Sequence, residues 1–219
     1  MSELTEDQLK EIATQLSHPE GEKGVEMGNR MNETNIQMTL DTLSALNLQD
    51  QEVLLELGHG NCGHLSKIFK TAEVAYYGLD ISETMHQEAI KLNESLRKDH
   101  QISFSLYNGE KIPFEDNFFD KVMTVNTIYF WNNPSAFLQE IYRVLKSGGK
   151  CLITFAQKDF MEKLPFVKHR FELYDHHKME KLVNTTSFKV LQTQEKSDRT
   201  KSKTGEMVDR QYSVVVLEK

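Results

Sequence analysis

The sequence predicts an α/β fold: a mostly parallel sheet with helices on both faces, ending in an antiparallel hairpin. Three observations predict it. Short aliphatic runs alternate with amphipathic helical patterns between residues 53 and 155, as happens when parallel strands are joined by crossover helices. The first of these runs passes straight into Gly58, Gly60 and Gly63, a tight strand-to-helix turn. The last two apolar runs are joined by a polar stretch, 197–209, too short to hold a crossover helix, so they pair antiparallel.

Each element has its own signal. Leu9, Ile12, Ala13 and Leu16 recur at helical spacing, and Ile36, Leu40, Leu43 and Leu46 do so again. The glycine-bearing "HPEGEKGVEMGNRMNETN" between them reads as a mobile connection. Strands are predicted at 53–57, 74–79, 102–107, 121–125 and 151–155, and the tail runs "FKVLQTQEK" and "RQYSVVVLEK" form the hairpin. Ser82 is placed to cap a helix whose apolar face is Met85, Ala89, Leu92 and Leu96. Asn133 and Pro134 supply a cap and a first helical residue; Phe137, Ile141 and Leu145 form the buried stripe, and Gly148-Gly149 ends it. Asp175 opens a shorter helix with Met179, Leu182 and Val183 inward. The chain divides into a helical segment, 1–50, and a sheet-bearing segment, 51–219, of one domain.

Composition narrows the function. With 26 Lys plus Arg against 33 Asp plus Glu, a net charge of −7, the general basic face that nucleic acid requires is not expected. Two cysteines and an acidic, amphipathic N-terminus point to a reducing cytoplasm rather than secretion. No apolar run approaches the roughly 20 residues a bilayer span needs, so membrane insertion is not expected.

The glycine turn is the centre of the functional argument. Bare backbone at the start of a helix lets a ligand approach closely, and Asp80, 20 residues past Gly60 at the end of the next strand, can accept hydrogen bonds from both hydroxyls of a ribose. The pairing selects an adenosine-type ligand. Glu56, just ahead of the first glycine, would repel a diphosphate but suits a ligand with a cationic amine, such as S-adenosylmethionine. The same glycines with Asp80 would also satisfy a nicotinamide-dependent oxidoreductase, and a non-catalytic cofactor-binding regulator is the third reading.

"VLLELGHGNCG", "YGLDIS", "YNGEKIPFEDNFFDKVMTVNTIYFW" and "EIYRVLKSGGKCLITF" together resemble class I S-adenosylmethionine-dependent methyltransferases, of the ubiquinone and menaquinone biosynthesis type. The resemblance implies a Rossmann-like seven-stranded sheet with its last strand antiparallel and inserted beside its neighbour, and an N-terminal helical cover over the site. It implies methyl transfer to a small-molecule acceptor with S-adenosylhomocysteine as product. By position, Glu56, Gly58, His59 and Gly60 would surround the methionine moiety, Asp80 the ribose and Ile81 the adenine face. Asn108, Gly109 and Glu110 would line the adenine edge, with Asn108 where relatives place an aspartate, and Asn126 would touch the methionine part. Tyr129, Phe130 and Trp131 would face the acceptor; Met31, Asn32 and Asn35 would reach acceptor or cofactor. The resemblance is compatible with a homodimer.

Displacement at a sulfonium methyl needs alignment more than a base. Tyr129 is the candidate for orienting the acceptor through its hydroxyl, against plain aromatic packing. His59 is read as offering backbone contacts with a solvent-facing ring, and Cys62 as a small filler. His176 and His177 are adjacent and point apart on a helix, so no metal site is expected. Lys196, Arg199, Lys201 and Lys203 read as a solvated loop or one that guides an anionic acceptor, and "FMEKLPFVKHRFELY" as acceptor wall or core.

Overall fold

The computed structural model describes residues 4–201 and 207–219. In chain order these form α1 (Glu6–Ser17), α2 (Gly21–Leu46), β1 (Val53–Leu57), α3 (Leu65–Phe69), β2 (Ala75–Asp80), α4 (Glu83–Leu92), α5 (Leu96–Asp99) and β3 (Ile102–Leu106). There follow β4 (Phe119–Val125), a 3-10 turn (Ile128–Phe130), α6 (Pro134–Val144), β5 (Leu145–Ala156), α7 (Lys158–Met161), α8 (His176–Val183), β6 (Lys189–Lys201) and β7 (Met207–Glu218). The seven strands lie in the order β3-β2-β1-β4-β5-β7-β6, and β7 runs antiparallel between β5 and β6. This is the Rossmann-like sheet with a terminal antiparallel hairpin.

Strand side chains alternate between faces, and each face has its own core. Leu55, Leu57, Val122, Ile153 and Val215 pack with Phe137, Ile141 and Met179 of α6 and α8. Leu54, Tyr76, Met123, Leu152 and Val214 pack with Met38, Leu43, Leu65 and Ile68 of α2 and α3. Burial on both faces explains why the strands read as continuous aliphatic runs.

The connection expected to be mobile is helix. α2 runs 26 residues without interruption, and two of its glycines mark close crossings. A Cβ on Gly24 would come within 2.7 Å of the Pro19 carbonyl carbon, and one on Gly28 within 2.6 Å of Met85 Sδ in α4. The helix is then fastened along its length: Thr42 Oγ1 bonds Thr154 Oγ1 of β5 at 2.6 Å, and the Tyr212 hydroxyl of β7 donates to Asp41.

The hairpin arms reach further than their apolar runs. Much of the polar stretch 197–209 is strand, because Asp198 and Arg210 face one another across the pair and form a buried ion pair at 2.6 Å. Arg210 also donates to Asn35 Oδ1 and the Thr34 carbonyl, and the Thr200 hydroxyl donates to that same carbonyl, docking the hairpin on α2. Lys196, Arg199 and Lys201 therefore sit on a strand; Lys203 lies outside the described residues.

Two helix ends also differ from expectation. α4 stops at the exposed Leu92, since Asn93 turns its amide inward to donate to the Cys62 and Ala89 carbonyls, and Leu96 opens a separate turn. α6 stops at Val144, and Leu145 already pairs with Phe119 as β5. Ser82, Asn133 and Asp175 each accept the backbone N–H three residues on, as caps should. Among the described residues no helix is long and apolar enough to cross a membrane.

Candidate active site

β1 ends in three left-handed residues: Gly58 (φ 71°), Gly60 (φ 58°) and Cys62 (φ 51°). The third left-handed position thus falls on Cys62 and not on Gly63. Gly63 is small for another reason, since a Cβ there would stand 2.8 Å from Asn32 Nδ2 of α2. Cys62 is fully buried, with Sγ 3.2 Å from the Tyr76 hydroxyl, and burial drives its thiol pKa well up, so it is inert. A Cys62→Gly variant relieves about 1–2 kcal/mol of left-handed strain and loses a comparable amount of side-chain packing. Thermal melts should show it within a few degrees of wild type, whereas Cys62→Val, β-branched at positive φ, melts clearly lower.

The returning turn builds a buried polar cluster under the cavity floor. Glu56 Oε2 accepts from the Tyr76 hydroxyl at 2.6 Å and from His64 Nε2 at 2.9 Å, and both Glu56 and His64 are almost wholly buried. Burial alone would raise the Glu56 carboxyl, but the charge and hydrogen bond of His64 and the Tyr76 hydroxyl outweigh it and hold it below the usual range. For His64, burial opposes protonation and the Glu56 charge and hydrogen bond overcome it, so its pKa is raised. Ligand atoms of Glu56, Cys62 and His64 lie within 4.8 Å of one another, but they are engaged with one another and with Tyr76.

His59 faces inward, contrary to the solvent-facing ring expected for it. Its Nδ1 donates to the Gly60 carbonyl at 2.7 Å and the ring tilts against Phe104, lying on β2 where Gly78 leaves room. In that tautomer Nε2 is an acceptor, buried and without a hydrogen-bond partner among the described residues. Burial lowers its pKa despite the nearby Asp80 and Glu56 charges, keeping the ring neutral.

Asp80 closes the other side. Its Oδ2 accepts the Gly60 N–H at 2.9 Å and its Oδ1 the Ser82 N–H at 2.9 Å, so the carboxylate ties the glycine turn to the cap of α4 and keeps spare lone pairs.

Between the strand ends and the helices α1 and α2 lies a cavity of about 160 Å³. Glu56, Gly58, His59, Gly60, Asp80, Ile81, Gly109 and Asn126 line it, as do Met31, Asn32, Asn35, Phe130 and Trp131. Two expected residues do not. Asn108 is exposed, and its side-chain oxygen already accepts the N–H groups of Glu110 and Lys111; Glu110 is exposed and meets Asn132. Tyr107 lines the cavity in their place. A second cavity of about 130 Å³ adjoins the first, sharing Leu16, Met31, Asn35, Asn126 and Phe130.

Tyr129 lines only the second cavity, and its hydroxyl is taken. It accepts the Ala156 N–H at 2.6 Å, and its single proton has the Ala156 carbonyl and Asn126 Oδ1 as acceptors at 3.1 and 3.0 Å. Tyr129 therefore fixes Asn126, itself left-handed at φ 59°, at the junction of the cavities instead of presenting a hydroxyl to an acceptor. Trp131 Nε1 donates to Thr127 Oγ1.

Sequence reasoning missed His64, Tyr76 and Tyr107. His64 had a faint signal, eight residues after Glu56 just past the turn. Tyr76 reads in sequence as an ordinary strand aromatic.

Residues 55–153 match the family model described as Methyltransferase domain. Over that segment the chain is similar to class I S-adenosylmethionine-dependent methyltransferases. It is 30% identical over 119 residues to the uncharacterized methyltransferase YdaC of Bacillus subtilis, covering 54% of this chain and 64% of that protein. It is 28% identical to phosphoethanolamine N-methyltransferase 2 of Caenorhabditis elegans, covering 68% of this chain and 35% of that one. The chain thus spans less than two thirds of the length of these curated relatives. Among solved structures, the chain in complex with the Haloferax volcanii Trm112 methyltransferase activator superposes with a TM-score of 0.70 at 16% identity, covering 88% of this chain and 93% of that one. Haemonchus contortus phosphoethanolamine N-methyltransferase 2, solved with S-adenosyl-L-methionine, gives 0.67 at 18% identity, covering 84% and 52%. The matched segment places the glycine turn and Asp80 at the carboxyl ends of adjacent strands, where an open α/β sheet binds its ligands.

Proposed function

We propose that this chain transfers a methyl group from S-adenosylmethionine to a small-molecule acceptor. One observation carries the reading: two carboxylates, Glu56 and Asp80, flank bare backbone at Gly60, where a Cβ would meet nothing within 4 Å. The free space at Gly60 and the unpartnered His59 Nε2 fit a ligand that fills the cradle and brings its own donors.

In this reading Glu56 takes the ammonium, Asp80 the ribose hydroxyls through its spare lone pairs, and Ile81, Tyr107 and Gly109 border the adenine. The cofactor supplies an electrophilic methyl on a cationic sulfur. The chain's own work is to align and to exclude water, which can lower a barrier by about 7 kcal/mol or more in favourable cases. Asn126, held by Tyr129 and the Ala156 N–H, marks the boundary between the cofactor space and the acceptor space. In this reading the reaction relies on alignment rather than on a dedicated base.

A nicotinamide dinucleotide would set its diphosphate against Glu56, which stays ionised in its buried pair. Calorimetry separates the readings: S-adenosylhomocysteine is expected to bind and nicotinamide dinucleotide not to. Incorporation of labelled methyl into a metabolite extract then separates an enzyme from a pure binder. The reverse pattern of binding would end the proposal.

A further inference from the structure

The two cavities meet at a seam whose polar side chains are fixed as hydrogen-bond donors. We infer that Asn35 and Asn126 hold the methyl acceptor by its reacting oxygen, so that the transfer is an O-methylation. This rests on the methyl-transfer reading, because it names the atom that the methyl reaches.

Among the described residues five line both cavities, and three of them, Leu16, Met31 and Phe130, are apolar. The other two are the carboxamides of Asn35 on α2 and Asn126 just after β4, both half-buried. A carboxamide fits either way round unless a partner settles which end is oxygen, and each of these has a partner that only donates. The Arg210 guanidinium donates to Asn35 Oδ1 at 2.9 Å. The Ala156 N–H approaches Asn126 Oδ1 at 3.3 Å, with the Tyr129 hydroxyl 3.0 Å from the same oxygen. Both carbonyl ends are therefore held by the protein, and the amino ends are left to serve a ligand. Asn126 Nδ2 directs one N–H to Met38 Sδ at 3.4 Å, a weak acceptor, and Asn35 Nδ2 has no hydrogen-bond partner among the described residues.

The backbone does not call for these amides. Asn126 is left-handed at φ 59°, a conformation that Gly or Asp also adopts, and Asn35 lies inside α2, where Asn is a poor helix former.

A donor at the crossing point decides which nucleophile fits. An amine attacks with its only lone pair, and an N–H donated to that pair blocks the attack. An oxygen has a lone pair to spare, so one accepts the N–H while another attacks. Sulfur has a spare pair too but accepts hydrogen bonds weakly. The acceptor oxygen forms its bond to the methyl carbon as the carbon–sulfur bond breaks, and that electron pair stays on sulfur, giving the neutral thioether of S-adenosylhomocysteine. A carboxylate or phenolate has no proton to lose, and a neutral hydroxyl gives its proton to water. The acceptor is thus a small carboxylate, phenol or alcohol whose body lies against Phe130, Phe160 and Phe171 of the second cavity.

The test supplies the full chain with S-adenosylmethionine carrying an isotope-labelled methyl, and with a metabolite extract as the source of acceptors. The carbon resonance of the labelled methyl distinguishes attachment to oxygen, nitrogen, sulfur or carbon, and an O-methyl product is expected. Asn35→Asp and Asn126→Asp keep the hydrogen bonds that the amide oxygens accept and remove the N–H donors. Each should slow formation of that product by about tenfold or more, even with the extract at saturation. Each should also melt within a few degrees of wild type and, by calorimetry, bind S-adenosylhomocysteine as wild type does. Should the aspartates unfold the chain, Asn35→Ala and Asn126→Gly carry the same expectation. An N-, S- or C-methyl product overturns the inference. So does an unchanged rate in either variant, or a loss of S-adenosylhomocysteine affinity that matches the loss of rate and so assigns the donors to the cofactor; in these cases the methyl-transfer reading stands. If protein that binds S-adenosylhomocysteine labels nothing in the extract, both fall.

Discussion

Glu56→Gln is expected to lower affinity for S-adenosylhomocysteine by about 10- to 150-fold, the value of one hydrogen bond to a charged group at about 1.5–3 kcal/mol. The substitution keeps the shape of the side chain but exchanges its charge and one acceptor oxygen for an amide, so the loss reports what the carboxylate contributes to ammonium recognition. It also removes the charge that raises the His64 pKa. In the proposed reading a protonated His64 and the ligand ammonium compete for one carboxylate, so ligand binding favours loss of the His64 proton. Affinity should rise with pH as the medium passes through the raised His64 value, and His64→Gln should flatten that rise. The stability of the free protein runs the other way. The His64 contribution is full below its unfolded value of 6.5 and fades as pH climbs through the raised folded one. The Glu56 contribution is present above 4.5 and fades as pH falls through its lowered folded value. Melting curves with and without S-adenosylhomocysteine across this range would show a ligand-induced shift that grows toward the alkaline side. A shift independent of pH would remove the competition from the account.

Gly58→Ala is expected to be the most damaging single methyl in the chain. Gly58 sits at φ 71°, and its Cβ would overlap Thr127 Cγ2. Positive φ costs an alanine about 1–2 kcal/mol, and forcing a methyl into filled space adds about 1–3. Thr127 has little room to yield, because its hydroxyl bonds Thr124 and receives Trp131 Nε1. Displacing it moves the 3-10 turn that carries Phe130 into both cavities. Gly60→Ala is the control: it pays for backbone only, since its Cβ meets open space, and so should lose ligand affinity with a smaller loss of melting temperature. Equal destabilisation by the two variants would show that backbone conformation alone, and not the Thr127 contact, sets the cost.

Much of the fold was legible because the signals were local. Ser82, Asn133 and Asp175 cap the helices they were expected to cap, and the strand pattern around β1, β2, β4 and β5 reports burial on both faces directly in composition. The turn at Gly58 and Gly60 and the carboxylate of Asp80 are legible for the same reason, since strand-end spacing places them together. The misread segments share a cause. Gly28 looks like flexibility in sequence, and Asp198 to Lys201 look like loop, because the partners that order them, Met85, Thr34 and Arg210, lie beyond the reach of a local pattern.

The sequence by itself determined the alternation of strands and helices, the antiparallel end and the glycine turn with its two carboxylates, because each depends on neighbours within a few residues or on a burial period. Only the tertiary structure decided that His64 and Tyr76 hold Glu56, that the Tyr129 hydroxyl belongs to Asn126 and Ala156, and that Arg30 and Lys201 share one cavity. Those are meetings between side chains from separate elements, and their geometry is set by packing across the sheet and against α2, which no local pattern records.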